Sequence, residues 1–135
     1  MKIIKKFSAK VETLHPMLLW LEERLMAFHV SEKNCHKIQL VAEELFMNAI
    51  YHAYHERGGE VVIQIENSFK FINLTFIDSG KAFNPADYTV VPNQETDITK
   101  CSIGGMGILL IQKYSDDIQY ERDRNKNRVV VIFSK

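Results

Sequence analysis

The chain has 135 residues, of which 46% are hydrophobic, 25% charged and 10% aromatic, with 17 basic residues balancing 17 acidic ones. A chain of this length buries about two-thirds of its unfolded surface, enough for one core without disulfide or metal staples. Zero formal charge argues against a partner held mainly by bulk charge, such as duplex DNA or an anionic membrane.

Cys35 and Cys101 make no disulfide framework, and a reducing cytosol is the simplest home. The longest apolar runs, such as Met17–Leu21 and Val129–Phe133, fall far short of the ~20 residues that span a bilayer. No apolar signal core follows Lys2. The expectation is a cytoplasmic, single-domain globule over residues 1–135, with no membrane and no direct nucleic-acid partner.

Residues 2–11 alternate in character and read as a first strand. Thr13 or His15, followed by Pro16, opens a helix with an apolar stripe of Leu18, Leu21, Leu25 and Phe28. On that phase Met17 and Trp20 are expected to be partly exposed and available to a subunit or partner. Ser31 caps a second, longer helix carrying Ile38, Val41, Leu45, Ala49 and Ala53, which stops at Gly58-Gly59. Residues 60–66 and Phe71–Ile77 then read as a hairpin around Asn67-Ser68.

From Asp78 to about Gly107 periodicity disappears, and two of the three prolines and four of the six glycines lie in this stretch. A long aperiodic segment of that kind suggests a functional loop. A short helix, Ile108–Tyr114, follows, and residues 117–121 and 128–134 close the chain as strands around the polar turn Arg122–Asn127. Helices grouped against a mixed, mainly antiparallel sheet make an α+β two-layer sandwich.

Three features carry chemistry. Glu44 and Asn48 are four apart on the long helix and share a face, and His52 extends the row by another turn. A carboxylate and an amide beside an apolar stripe are expensive without partners. Glu suits a base toward a hydroxyl, and the Asn oxygen is a hard ligand for Mg²⁺. In isolation a merely polar helix edge is the better account of the pair. Asp78-Ser79-Gly80, with Phe83-Asn84-Pro85 after it, places a carboxylate at a strand end and a glycine where backbone can approach a ligand, although an ordinary Asp/Gly turn has the same letters. Gly104-Gly105-Met106-Gly107 stands directly before a helix and suits either a phosphate or a plain glycine cap. His52, His55 and Glu56 have a spacing that permits a metal, but no third well-placed ligand stands out. Aromatics near lysines are too scattered for a nucleic-acid stacking surface.

In this order and spacing the three features resemble the GHKL (Bergerat-fold) ATPase superfamily of gyrase-type and histidine-kinase ATP domains. Within it the chain is most similar to the bacterial anti-sigma-factor serine kinases. The run Asn48-Ala49-Ile50-Tyr51-His52-Ala53-Tyr54 and the segment Phe83-Asn84-Pro85 favour that branch. The resemblance implies ATP and Mg²⁺ as cofactors and a serine of a protein substrate as acceptor. It implies Glu44 as the general base and Asn48 as the Mg²⁺ holder, with Asp78 on the adenine amino group and Gly80 letting the base pack closely. It also implies nucleotide contacts from His52, Phe83, Lys100, Gly104, Gly105, Met106, Gly107 and Ile108, and an ATP lid over about 86–103. The implied partners are a sigma factor or similar regulator and an anti-sigma-factor antagonist, with a homodimer by analogy.

Two positions depart from the pattern: Ile103 stands where relatives often place a basic residue, with Lys100 close by, and Asn127-Arg128-Val129 replaces the Gly-Thr pair that supports adenine elsewhere in the superfamily. A nucleotide-gated switch that grips its partner without phosphorylating it is therefore the alternative to a kinase.

Overall fold

The computed structural model describes residues 1–87 and 103–135. Lys100, Cys101 and nearly all of the expected lid lie outside the described residues.

Strands β1 (Lys2–Ser8), β2 (Glu60–Asn67), β3 (Phe71–Asp78), β4 (Asp117–Asp123) and β5 (Lys126–Ser134) form one sheet in the order β1-β2-β3-β5-β4. Each of the four pairings is antiparallel, so the α+β sandwich holds while the mixed component does not appear among the described residues. Strand side chains alternate between faces. The inward set is Val61, Ile63 and Ile65 from β2, Ile72, Leu74 and Phe76 from β3, and Val129, Val131 and Phe133 from β5, all buried. Helices α1 (Leu14–Ala27), α2 (Glu32–Asn48) and α3 (Ile103–Tyr114) supply the other layer, with Leu21, Leu25, Ile38, Val41, Phe46 and Ile111 fully enclosed.

Helix α1 turns the expected stripe inward with one change at its start, Met17 in place of Leu18. Met17, at 0% exposure, sits with Leu21, Leu25 and Phe28 in the core, and Leu18 is only half-buried. Spacings of 4, 4 and 3 are as helical as 3, 4 and 3, so periodicity alone does not choose between Met17 and Leu18; docking on the sheet does. Trp20 is half-buried and meets Phe7 edge-on at 5.4 Å, tying α1 to β1.

Ser31 caps α2 as expected, its Oγ accepting from the Asn34 N–H at 3.2 Å. The other end differs. Regular helix stops at Asn48, and Ala49–Ala53 form a wider π-helical turn. His55 and Glu56 then take left-handed backbone ahead of Gly58, so reversal begins before the glycines.

At the carboxyl end, Arg124 and Asn125 both have positive φ, the geometry of a two-residue hairpin turn. The expected turn over 122–127 thus contracts, and Arg122 and Asn127 become strand residues. Helix α3 starts at Ile103 rather than Ile108, which places Gly104, Gly105, Met106 and Gly107 inside its first turns instead of before them. Among the described residues no helix is long and apolar enough to cross a membrane.

The enclosed Phe46 side chain reports on this packing. Phe46→Ala should lower unfolding free energy by about 3–5 kcal/mol in urea titration, whereas Leu19→Ala, at a site 47% exposed, should change it by less than about 1 kcal/mol.

Candidate functional site

The wide turn after α2 shapes the site. In it the Tyr54 N–H reaches back five residues to the Ala49 carbonyl at 2.9 Å, and the Glu56 N–H reaches the Ile50 carbonyl at 2.8 Å. The Ala53 carbonyl accepts instead from the Lys81 N–H at 2.7 Å, across from another element. A Cβ at Gly80 would stand 2.5 Å from that same carbonyl oxygen and 2.6 Å from its carbon. Backbone cannot yield to a side chain there, so glycine is required for the chain leaving β3 to lie against the turn after α2.

Tyr54 fastens the junction a second time. Its hydroxyl donates to the Glu60 carbonyl at 2.7 Å and accepts from the Ser79 N–H at 2.8 Å, and Gly59 leaves room for its ring. Burial raises the Tyr54 pKa, so the hydroxyl keeps the proton it donates.

Asp78 ends β3 at this junction. Its Oδ1 accepts from the Gly80 N–H and from the Asn127 Nδ2, each at 2.9 Å. Burial holds its carboxyl above the usual carboxylate range, against the opposing pull of the Asn127 amide, the Gly80 N–H and the Arg122 charge.

Asp78, Asn48 and Phe83 border one cavity whose walls include Leu45, Ala53, Phe76 and Val129. Its volume is about 20 Å³, close to one water, and Phe83 stands at its margin. Phe83 stacks on the His52 ring with centroids 4.5 Å apart and planes 5° from parallel. A larger cleft, of about 470 Å³, lies beside Glu22, Glu32, Lys33, Cys35, His36 and Gln39, but its walls are mostly charged and polar.

Asn48 is 4% exposed, lines the cavity, and among the described residues makes no hydrogen bond through its amide. A buried amide in that condition fits a polar ligand entering from the cavity, including a hard cation carried by phosphates. Glu44, one turn earlier, is half-buried; burial first and the Glu43 charge second raise its pKa. His52 lies beyond the break in the regular helix, so it reaches Phe83 from the π turn; burial, then the neighbouring His55, lowers its pKa.

The structure thus gathers Asn48, Asp78 and Phe83 at one cavity, with Gly80 bonded to Asp78 and His52 behind Phe83. Ile108 is 1% exposed and packs in the interior. The backbone of Gly104–Gly107 is helical, and Lys100 lies outside the described residues.

Two residues escaped the sequence reading of the site, Tyr54 and Arg122, and Asn127 entered it only within the run that replaces the Gly-Thr pair. Tyr54 stood in the motif run without a role. Arg122 was hidden by its assignment to a turn, and the sheet register sets Asn127 directly opposite Asp78.

The chain is 26% identical over 105 residues to an anti-sigma F factor of Clostridium acetobutylicum, covering 73% of this chain and 68% of that protein. Among solved structures it superposes on the RsbU and RsbW domains of a Mycobacterium tuberculosis protein with a TM-score of 0.70 at 12% identity, covering all of this chain and 33% of that one. This chain thus spans about a third of that structure's length. The catalytic domain of the histidine kinase ThkA gives 0.56 at 16% identity over 98% of this chain and 97% of its own. These structural likenesses establish the shared fold. Residues 7–133 match the histidine kinase-like ATPase domain family, and the chain belongs to it.

Proposed function

We propose that this chain, as one ATPase domain over residues 1–135, binds Mg-ATP between α2 and α3 and passes a phosphoryl group to a serine of a protein antagonist. In the same reading it sequesters a sigma factor or similar regulator in the cytoplasm, with residues 86–103 as the nucleotide lid. The observation that carries the reading is the convergence of Asn48 and Asp78 on one apolar-walled cavity. The likeness to a protein called anti-sigma F factor supports the choice of partner.

Each residue has a task that its chemistry suits. Asp78 accepts from an exocyclic amine on the base. Gly80 keeps the β3 end free of side-chain atoms, so backbone and base can lie close. Phe83, which lines the cavity and stacks on His52, shifts to admit the base. The Asn48 oxygen would hold Mg²⁺. When bound, Mg²⁺ neutralises the charge of the phosphates and so favours in-line transfer. Glu44 takes the proton of the attacking serine hydroxyl; its raised pKa brings its basicity closer to neutral pH. The gated switch is a second reading, favoured by the apolar Ile103 at the start of α3.

Binding and chemistry should separate. Glu44→Gln should leave nucleotide affinity nearly unchanged in calorimetry and lower phosphorylation by about 10²–10⁴-fold, because the base acts only as the proton leaves. A parent protein that binds a partner only with nucleotide, yet never shifts its mass by a phosphate, would establish the switch instead.

The pH profile has a defined sign. Glu44 must lose its proton to act, and its pKa is raised, so the parent's rate should climb with pH through that raised value and then level off. The low residual rate of Glu44→Gln should lack that rise.

Asp78→Asn should weaken ADP binding at least tenfold, roughly the loss of one charge-assisted hydrogen bond. The same change should not lower the melting temperature at neutral pH. With its pKa raised, the folded state holds this proton more tightly than the unfolded chain, so the Asp78 contribution to stability falls as pH rises from the ordinary carboxylate value. Melting curves of parent and variant across pH 4–8, roughly the range where a raised carboxylate titrates, check both signs.

A further inference from the structure

The helical layer packs on the inward set of the sheet, and the opposite face has a character of its own. Its middle is apolar: Val62, Ile77, Val130 and Ile132 are half-buried around Thr75, which is 6% exposed. Ile4 stands 56% exposed toward the β1 edge, and none of these side chains packs against the core.

Charge on this face is sorted by strand. There β1 presents Lys2 and Lys6, and β2 presents Glu60 and Glu66. The central strand β3 presents no charge. Beyond it β5 presents Lys126 and Arg128, and β4 presents Asp117, Glu121 and Asp123. From edge to edge the columns run positive, negative, neutral, positive, negative. Among the described residues the one ion pair joins Arg24 and Glu23, so no two of these columns are paired within the chain. Reversing the order of the columns exchanges every sign, which makes the face complementary to itself.

We infer that this open face docks a second copy of the chain, the two sheets packing face to face about a two-fold axis parallel to the strands. A symmetric contact of this kind uses one patch twice. That axis lays β1 on the second copy's β4, β2 on its β5 and β3 on its β3. The register then sets Lys2 level with Asp117, Lys6 level with Glu121 and Glu60 level with Lys126, each pair formed twice. Packed sheets cross at about 30°, which offsets the edges by about 5 Å, a gap that lysine and glutamate side chains span. Glu66 and Arg128 face the apolar Ile132 and Val62, beside oppositely charged neighbours of their own sheet. An axis across the strands would instead set Lys2 against Lys6 and Asp117 against Glu121, so charge selects one of the two arrangements.

Asn73 supplies an independent reason. It lies on this face in β3, and its Oδ1 is buried without a hydrogen-bond partner among the described residues. On the proposed axis Asn73 meets the Asn73 of the second copy, where each amide donates to the other's oxygen. A single buried amide of this kind fixes register between identical partners. Five strands and four levels of side chains make a footprint roughly 20 Å on a side. That is near the lower end of specific interfaces, so the expected dissociation constant is micromolar. The inference does not depend on the nucleotide reading.

Sedimentation equilibrium across the micromolar range tests it, on the parent chain, Lys6→Glu and Glu121→Lys. Both side chains are exposed, so neither change should disturb the fold. The parent should pass from monomer to dimer, more weakly as salt is raised. Each variant alone should associate about tenfold or more weakly, because each sets like charges together twice in the dimer. Mixed in equal amounts the two variants should associate with each other at about the parental strength, since every facing pair is again of opposite sign. One chain carrying both changes should likewise recover self-association. A parent that stays monomeric leaves the face to a different protein and overturns the inference. A dimer indifferent to both reversals is formed through another surface and overturns it too. So does a mixture that associates no better than either variant alone.

Discussion

Where α2 ends and β3 ends, two stretches of backbone meet without side chains between them. The Ala53 carbonyl, released by the π turn, accepts from Lys81, and Gly80 lies so close that a single Cβ would overlap it. This approach couples the helical layer to the sheet where Asp78, Asn48 and Phe83 line the same cavity. Regular α-helix through residue 53 would point that carbonyl along the helix axis into its own ladder. A side chain at residue 80 would push β3 away. The cavity therefore depends on a local irregularity in one element and on glycine in the other.

The same junction is tied by polar groups. Tyr54 joins the start of β2 to the residue after Asp78, and Asn127 joins β5 to Asp78, Lys81 and Phe83. A buried carboxylate in the folded state carries an energetic penalty at neutral pH, as its raised pKa records. Two donors on one oxygen reduce that penalty without removing it. A residue kept at some expense to stability, beside a buried amide with no described partner, has the character of a binding group more than of a structural one.

Beneath this lies a core that asks little of any single motif. Alternating apolar residues on β2, β3 and β5 face the stripes of α1 and α2, and most fully buried side chains belong to those elements. The sheet is closed on its helical side by many modest contacts, while the strand ends near Asp78 are free to be shaped by hydrogen bonds. Rigid scaffold and irregular junction are thus physically separate, which lets the junction vary in detail without loss of the fold.

Local chemistry in the sequence determined the elements and their order: alternation marked the strands, Ser31 marked a helix start, and Glu44, Asn48, Asp78 and Gly80 stood out by residue type and spacing. Short-range rules suffice there because periodicity and capping act within a few residues. The choice of Met17 over Leu18, the π turn after Asn48, the start of α3 at Ile103 and the shortened β4–β5 turn were decided by tertiary packing. Each involves two local solutions of similar energy, and contacts from distant parts of the chain select between them. Asn127 shows the limit most plainly. It is 49 residues from Asp78 along the chain, and only the antiparallel register of β3 and β5 sets the two side chains opposite each other.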